Sequence, residues 1–466
     1  MIVVKMTKTF QTISPIDGSV YCERSYAVAS EIEQTLSRSQ SVQKNWKQTT
    51  VEERARICFK VVEYFEENAD FMAEEITWQM GRPIIYTPFE IKNGFKERAL
   101  HMIAIAEKEL QDQEVEGQAG FKRFIRKEPL GTILILSPWN YPYLTAVNAV
   151  IPAIMAGNTV ILKHAEQTPI CAERFAAAFE YADAPEGVFQ YLHLAHEQIP
   201  GIIADQRIAG VSFTGSVGGG EAIQRAVGKR FITAGLELGG KDPAYVAADA
   251  DIKNAAENLV DGAYFNSGQS CCGVERIYVH ELAYDAFLEQ FKRITSGYVI
   301  GNPLEKGTTL GPMVRKSATG KALTHLDDAL KKGGAALLPE STFSKQEAPY
   351  MNPQAIIEAR HDMLIMQEES FAPVVGIMKV KSDEEAIQLM NDSQYGLTAS
   401  VWTSDVDRAL NIGDQIETGT WFMNRCDYLD PALAWNGVKN SGKGCTLSTL
   451  GYHYLTRPKS FHLKLA

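Results

Sequence analysis

Residues 132–162 read TILILSPWNYPYLTAVNAVIPAIMAGNTVIL, and the fold is decided here. Residues 132–136 form an apolar run of strand length. Residues 144–155 carry a helical pattern, and 159–162 form a second apolar run. Apolar strands bracketing a helix describe a βαβ unit and therefore a parallel sheet. Downstream, Thr168-Pro169 opens another helix with proline at its first position. Residues 188–192 and 210–213 read as further strands, which completes a block over 131–236. A second block starts near Gly239, with a strand at 244–247, a helix at 252–265 and a strand at 276–279. Its α/β alternation continues to about Lys439.

Upstream, Thr50-Val51-Glu52-Glu53 is a capping box that opens a helix to about Asn68, and a second helical pattern covers 89–109. Residues 121–128 alternate and are charged, which reads as a strand pair with one exposed face. At 460–465, Phe461, Leu463 and Leu465 alternate with His462 and Lys464. A lone strand with one apolar face needs a partner sheet, and a second subunit is one candidate. No internal repeat is present.

The 466 residues are 45% apolar and 22% charged, the balance of a folded globular protein of two or three domains. Asp and Glu outnumber Lys and Arg by 57 to 46, a net charge of −11, which argues against a nucleic-acid surface. Residues 1–10 lack a long apolar core, so no signal peptide is expected, and no run of 18 apolar residues predicts a membrane span. Seven scattered cysteines fit a reducing cytoplasm better than a disulfide framework.

Three segments carry chemistry. Phe265-Asn266-Ser267-Gly268-Gln269-Ser270-Cys271-Cys272 places a cysteine on a glycine-containing loop between helix and strand, a candidate nucleophile. Taken alone, such a cysteine is more often a small buried apolar side chain. Leu236-Glu237-Leu238-Gly239-Gly240-Lys241 places a carboxylate between the two blocks, where it can serve as a base or be merely solvated. Ser137-Pro138-Trp139-Asn140-Tyr141-Pro142 follows directly on a strand, where ligands bind in open α/β sheets. An Asn140 N–H aimed at an oxyanion is worth roughly 3–4 kcal/mol to catalysis.

Together, and in this order, the three segments resemble the signature motifs of the aldehyde dehydrogenase superfamily. Gly157-Asn158-Thr159-Val160-Ile161-Leu162-Lys163, Phe213-Thr214-Gly215-Ser216, Glu368-Glu369-Ser370-Phe371 and Gly437-Val438-Lys439-Asn440-Ser441-Gly442 extend the resemblance over nearly the whole chain. It implies an α/β fold with two Rossmann-like domains and a small β oligomerisation element. The dinucleotide-binding domain would take 1–111 and 131–239, the catalytic domain 240–446, and the oligomerisation element 112–130 and 447–466. A homodimer or homotetramer is implied.

The implied reaction is NAD(P)-dependent oxidation of an aldehyde to a carboxylic acid. Cys271 adds to the aldehyde, Asn140 and the Cys271 N–H hold the oxyanion, and Glu237 activates water against the resulting thioester. Trp139, Lys163, Glu166, Gly215, Ser216, Gly220, Glu369 and Phe371 fall on cofactor-binding positions. A carboxylate at Glu166 repels a 2′-phosphate, so NAD is expected over NADP. His164, if protonated, would add positive charge and keep NADP open. Gly218 and Gly219 are extra glycines expected to loosen the phosphate turn, and Ala372 replaces a usual glycine and is expected to tighten its own. Tyr141, directly after Asn140, is one candidate substrate contact; Arg425 and Trp435 are others, on a segment that also holds Asp427, Tyr428 and Asp430. Arg425 would suit the carboxylate of a semialdehyde such as succinic semialdehyde. Tyr141, Tyr428 and Trp435 would equally cage an apolar, aromatic or cationic aldehyde. Cys272 reads as packing. His193 and His196 have a metal-like gap but no third ligand nearby, so no metal is expected. The alternatives are a coenzyme A-acylating enzyme, disfavoured by Glu237, and a non-catalytic binding protein that kept the fold.

Overall fold

The computed structural model describes residues 8–465. The signal-peptide reading of 1–10 falls mostly on residues outside that range. Two largely parallel sheets dominate. The first has six strands in the order Gly442–Lys443, Thr233–Glu237, Ile208–Thr214, Thr132–Ser137, Thr159–His164 and Phe189–Tyr191. Only the first of these runs antiparallel to its neighbour. The second has seven strands in the order Ala335–Ala336, Gln354–Ile357, Val374–Val380, Val274–His280, Asp242–Val246, Thr398–Trp402 and Thr420–Met423.

Both sheets are buried on both faces, which is why their strands read as continuous apolar runs. Ile133 and Ile135 pack into one core, while Leu134 and Leu136 point to another. In the second sheet Tyr245 and Tyr278 face one side, and Ala244, Val246, Ile277 and Val279 face the other. The period of two decides the side for each residue.

The helix Val51–Glu67 begins at the expected capping box, with Thr50 Oγ1 accepting from the Glu53 N–H at 3.1 Å. Pro169 sits at the cap of Ile170–Tyr181 rather than at its first helical position. The predicted helix at 89–109 is interrupted: Glu90–Phe95 is a π-helical segment that leads into Lys96–Leu110. That wider turn seats Glu90 in the core, as described below.

The reading of 121–128 as a strand pair is corrected. Phe121–Pro129 is a single strand, and its main partner is the chain's own Thr456–Lys464, paired from Thr456↔Pro129 to Lys464↔Phe121. The terminal strand is therefore not lone. Phe124 and Phe461 stack across the pair with centroids 4.4 Å apart. Gln113–Glu114 adds a third strand on the other side, which among the described residues leaves Thr456–Lys464 at the sheet edge. Among the described residues no helix is long and apolar enough to cross a membrane.

Candidate active site

The first sheet ends at Glu237 and the second begins at Asp242, so the chain crosses between them at Leu238-Gly239-Gly240-Lys241. Cys271 approaches from the second sheet, on the loop between the helix Ile252–Tyr264 and the strand Val274–His280. This loop is forced into a rare shape. Asn266, Ser267 and Gly268 lie in the left-handed region with φ of 54°, 56° and 67°. A Cβ on Gly268 would meet the Ala372 carbonyl oxygen at 2.1 Å, so only glycine fits. The two non-glycine residues are held by their neighbours. Ser267 Oγ donates to the Gly311 carbonyl at 2.8 Å, and Asn266 Nδ2 donates to the carbonyls of Gln269 and Asn140 at 3.1 and 3.2 Å.

Asn140 is pinned from both ends. Its Nδ2 donates to the Gln269 carbonyl at 3.2 Å, two residues before Cys271, and leaves its second amide hydrogen for another acceptor. Its own carbonyl accepts from Arg82 Nη2 and from Asn266. Arg82 also reaches Asn266 Oδ1 at 3.1 Å and Glu90 Oε2 at 2.5 Å, with both ionic side chains buried. Glu90 Oε1 then accepts the N–H groups of Tyr143 and Leu144 at 2.8 and 3.0 Å. It thereby caps the helix Pro142–Met155, which has no cap from its own Tyr141. Arg82, Glu90 and Asn266 were not singled out in the sequence. No local pattern marks them, because Arg82 lies 184 residues from Asn266.

Glu237 closes the strand Thr233–Glu237 with its carboxylate half-buried. Thr446 Oγ1 donates to Oε1 at 2.5 Å and Thr214 Oγ1 to Oε2 at 3.0 Å. Burial lifts its pKa above the usual carboxylate value, and the two hydroxyls and the charge of Arg98 partly offset the rise. Cys272 is buried. Its Sγ donates to Asp427 Oδ1 at 2.8 Å, and Ser270 Oγ donates to the same oxygen at 3.2 Å. Its neighbour Cys271 is only partly buried.

A groove of about 510 Å³ runs along the carboxyl ends of the first sheet, lined in part by Trp139, Lys163, Glu166, Gly215 and Ser216. Its shape and donors fit a dinucleotide. Ser216 caps the helix Val217–Val227 by accepting from the Gly219 N–H at 3.2 Å. Of the two extra glycines, Gly218 stands in open space, whereas Gly219 is packed too closely for a side chain. A Cβ there would lie 2.6 Å from the Phe213 ring, as would one on Gly215, so these glycines admit an aromatic floor. A Cβ on Gly220 would meet Leu238 at 2.6 Å.

Glu166 accepts one hydrogen bond at Oε1, from Tyr26 at 2.8 Å. His164 departs from the expectation of a possible positive charge. Burial drives its pKa down to about 3, its Nε2 faces the Pro142 carbonyl at 3.0 Å, and Nδ1 accepts from the Ala165 N–H at 3.1 Å. It is a neutral structural side chain. Glu369 Oε1 accepts from the Gly240 N–H at 3.1 Å, and burial raises its pKa to about 7. Phe371, at φ 52°, sets its ring edge-on to Trp139 with centroids 5.8 Å apart. Glu275, missed in the sequence, holds this turn by accepting the N–H groups of Ser370 and Phe371 at 2.7 and 2.9 Å.

The candidate substrate residues separate. Tyr141 is held next to Asn140, with the Arg82 guanidinium 4.3 Å from its ring centroid. Trp435 is buried, and its backbone pairs with that of Thr446. Arg425 is exposed, with its guanidinium stacked 3.5 Å from the Tyr428 ring centroid, so the charge expected to meet a substrate is spent at the surface. His193 Nε2 lies 3.1 Å from Glu173 Oε1, and among the described residues no cluster of three or more metal-ligating side chains is present.

Comparison with known proteins follows the same outline. Residues 3–461 match the sequence profile of the aldehyde dehydrogenase family. An aldehyde dehydrogenase of Paenarthrobacter nicotinovorans is 35% identical over 443 residues, 94% of this chain and 96% of its own. The NAD(P)+ succinate semialdehyde dehydrogenase Sad of Escherichia coli K12 is 32% identical over 448 residues, 95% of each chain. The crystal structure of succinic semialdehyde dehydrogenase from Streptococcus pyogenes, with NADP+ as the cofactor, superposes with a TM-score of 0.93 at 30% identity. That match covers 98% of this chain and 100% of the other.

Proposed function

The chain belongs to the aldehyde dehydrogenase family, enzymes that oxidise aldehydes with NAD or NADP, and from that premise we propose that Cys271, Glu237 and Asn140 carry the reaction here. The supporting observation is the hydrogen-bonded frame that joins the Asn140 segment to the Cys271 loop, with a half-buried carboxylate at Glu237 on the adjoining strand end. The Cys271 thiolate adds to the aldehyde carbon. The oxyanion so formed is met by an Asn140 amide hydrogen and the Cys271 N–H. When bound, the dinucleotide supplies the hydride acceptor for the former aldehyde carbon. A thioester remains on Cys271. Glu237 takes a proton from water, the hydroxide attacks the thioester, and the acid leaves as the thiolate is regenerated. A partly desolvated base whose pKa is raised above the usual carboxylate value suits this step.

Trp139, Lys163, Glu166, Gly215, Ser216, Gly220, Glu369 and Phe371 would hold the dinucleotide. We propose a preference for NAD, since Glu166 opposes a 2′-phosphate and neutral His164 offers it nothing. The substrate in this reading is a semialdehyde such as succinic semialdehyde, the substrate for which the relatives at 32% and 30% identity are named. Tyr141, next to Asn140, and Trp435, whose backbone pairs with that of Thr446, are its aromatic contacts in this reading. The domains divide as 1–111 with 131–239, 240–446, and 112–130 with 447–466, supported by the break between the two sheets after Glu237. The free edge of Thr456–Lys464 supports a homodimer or homotetramer. The cytoplasmic placement is supported by seven cysteines, all free.

NADH absorbance with a panel of aldehydes tests the proposal. Cys271→Ala is expected to abolish turnover and keep cofactor binding; activity near that of the wild type overturns the assignment. Glu237→Gln is expected to give a burst without steady turnover.

A further inference from the structure

Four cations are buried around the crossing between the sheets, and three are fully employed. Arg82 is paired with Glu90, and Lys241 with Glu275 at 2.5 Å. Arg276 donates from all three of its nitrogens to carbonyls and to Tyr278. Arg98, on the helix Lys96–Leu110, is different. It is 6% exposed and, like Arg276, pairs with no carboxylate among the described residues within 4.0 Å, but unlike Arg276 it does not engage all its nitrogens.

Arg98 is nonetheless fixed. Nη1 donates to the Leu144 carbonyl at 2.8 Å and to Asn148 Oδ1 at 3.2 Å. Asn148 turns its oxygen to Arg98 and leaves its own Nδ2 sealed without a partner. Two polar groups are thus held at a cost that packing alone does not require. Nε and Nη2 of Arg98 have no hydrogen-bond partner among the described residues. Neither is among the sealed partnerless atoms of the core, so both border open space. These two nitrogens form the edge of a guanidinium that takes a carboxylate with two parallel hydrogen bonds. The ionisable groups within reach of its field are Cys272, Glu237, Cys271 and Glu90, with Asp427 on the loop opposite. Glu90 is already committed to Arg82.

We propose that Arg98 is the receptor for a substrate carboxylate, and that its open Nε/Nη2 edge selects aldehydes that carry an acid group at the far end from the carbonyl. The inference rests on Cys271 as the nucleophile. It reassigns to the Lys96–Leu110 helix the role that the sequence offered to Arg425. Asn148 and the Leu144 carbonyl are positioning groups that set the guanidinium before substrate arrives, so little ordering remains on binding.

The test compares kcat/KM for succinic semialdehyde and hexanal in the wild type, Arg98→Met and Arg98→Lys. The wild type is expected to favour succinic semialdehyde. Arg98→Met is expected to lower the ratio of the two values by at least about 30-fold, mainly through KM for the acid substrate. Arg98→Lys keeps the charge without the fork and is expected to fall between. An equal loss with both aldehydes overturns the proposal and makes Arg98 a partner of the Cys271 thiolate. A wild type without preference overturns it too. Calorimetric titration with succinate separates this from the nucleophile reading, since it needs no turnover. Succinate is expected to bind the wild type and Cys271→Ala alike and to lose at least about tenfold in affinity with Arg98→Met. No succinate binding by the wild type overturns the receptor, whereas binding by a wild type that oxidises neither aldehyde counts against Cys271 and not against Arg98. Should Arg98→Met fail to fold, Arg98→Lys carries both comparisons.

Discussion

The Thr446 hydroxyl donates a 2.5 Å hydrogen bond to Glu237 Oε1. A hydrogen bond to a carboxylate stabilises its ionised form, and burial opposes it. Thr446→Val removes the donor, so the pKa of Glu237 rises further. The base works only when ionised, so the acid limb of steady-state kcat is expected to move to higher pH by about one unit, the worth of one such bond. A pH profile of kcat for both proteins checks this. The burst of the first hydride transfer, which does not use the base, is expected to keep its pH dependence.

Arg82→Met strands Glu90 in the core and frees the Asn140 carbonyl. Breaking a buried pair costs about 3–5 kcal/mol. The midpoint of thermal unfolding is expected to drop by several degrees, and the burst rate to fall, because Asn140 and the Cys271 loop lose a common anchor. Thermal melts and rapid-mixing kinetics measure the two effects separately.

Gly268→Ala meets both a φ of 67° and the Ala372 carbonyl 2.1 Å from the new Cβ. The loop must shift, and Cys271 with it. Displacement of a reacting group by about 1 Å lowers a rate by roughly 100-fold. Single-turnover measurement of hydride transfer is expected to show a loss of that order, with dinucleotide affinity, read by fluorescence quenching, changed far less.

Glu166→Gln removes a carboxylate that lines the proposed dinucleotide groove. The ratio of kcat/KM for NAD to that for NADP is expected to fall roughly tenfold, about 1.4 kcal/mol. His164, buried and neutral, is expected to add no pH dependence to this ratio; paired initial rates at pH 6 and 8 check it.

What the sequence revealed follows from where each group gets its orientation. Cys271, Glu237 and Asn140 stand at strand and helix ends, so their settings are written in the adjoining apolar runs and glycines. Gly268 could be read as a turn residue, though not as the close approach to Ala372. The supports could not be read. Arg82 touches Asn140 across 58 residues, and Thr446 touches Glu237 across 209. Local periodicity carries no trace of either. The same limit explains Phe121–Pro129, whose partner is 331 residues away at the Glu128–Lys459 contact. Arg425 shows a different limit. A charged loop residue reads alike whether it faces a pocket or an aromatic ring at the surface, and only the fold chose Tyr428.

The antiparallel edge strand of the first sheet, Gly442–Lys443, has a consequence for the order in which the enzyme is made. It pairs with Leu236 and Glu237, and the hydroxyl that grips the carboxylate lies just beyond it. A chain leaving the ribosome carries its thiol and its amide donor long before it can seat its base. Translation that halts before residue 442 therefore leaves the strand end at Glu237 without its antiparallel neighbour and the carboxylate without the Thr446 hydroxyl.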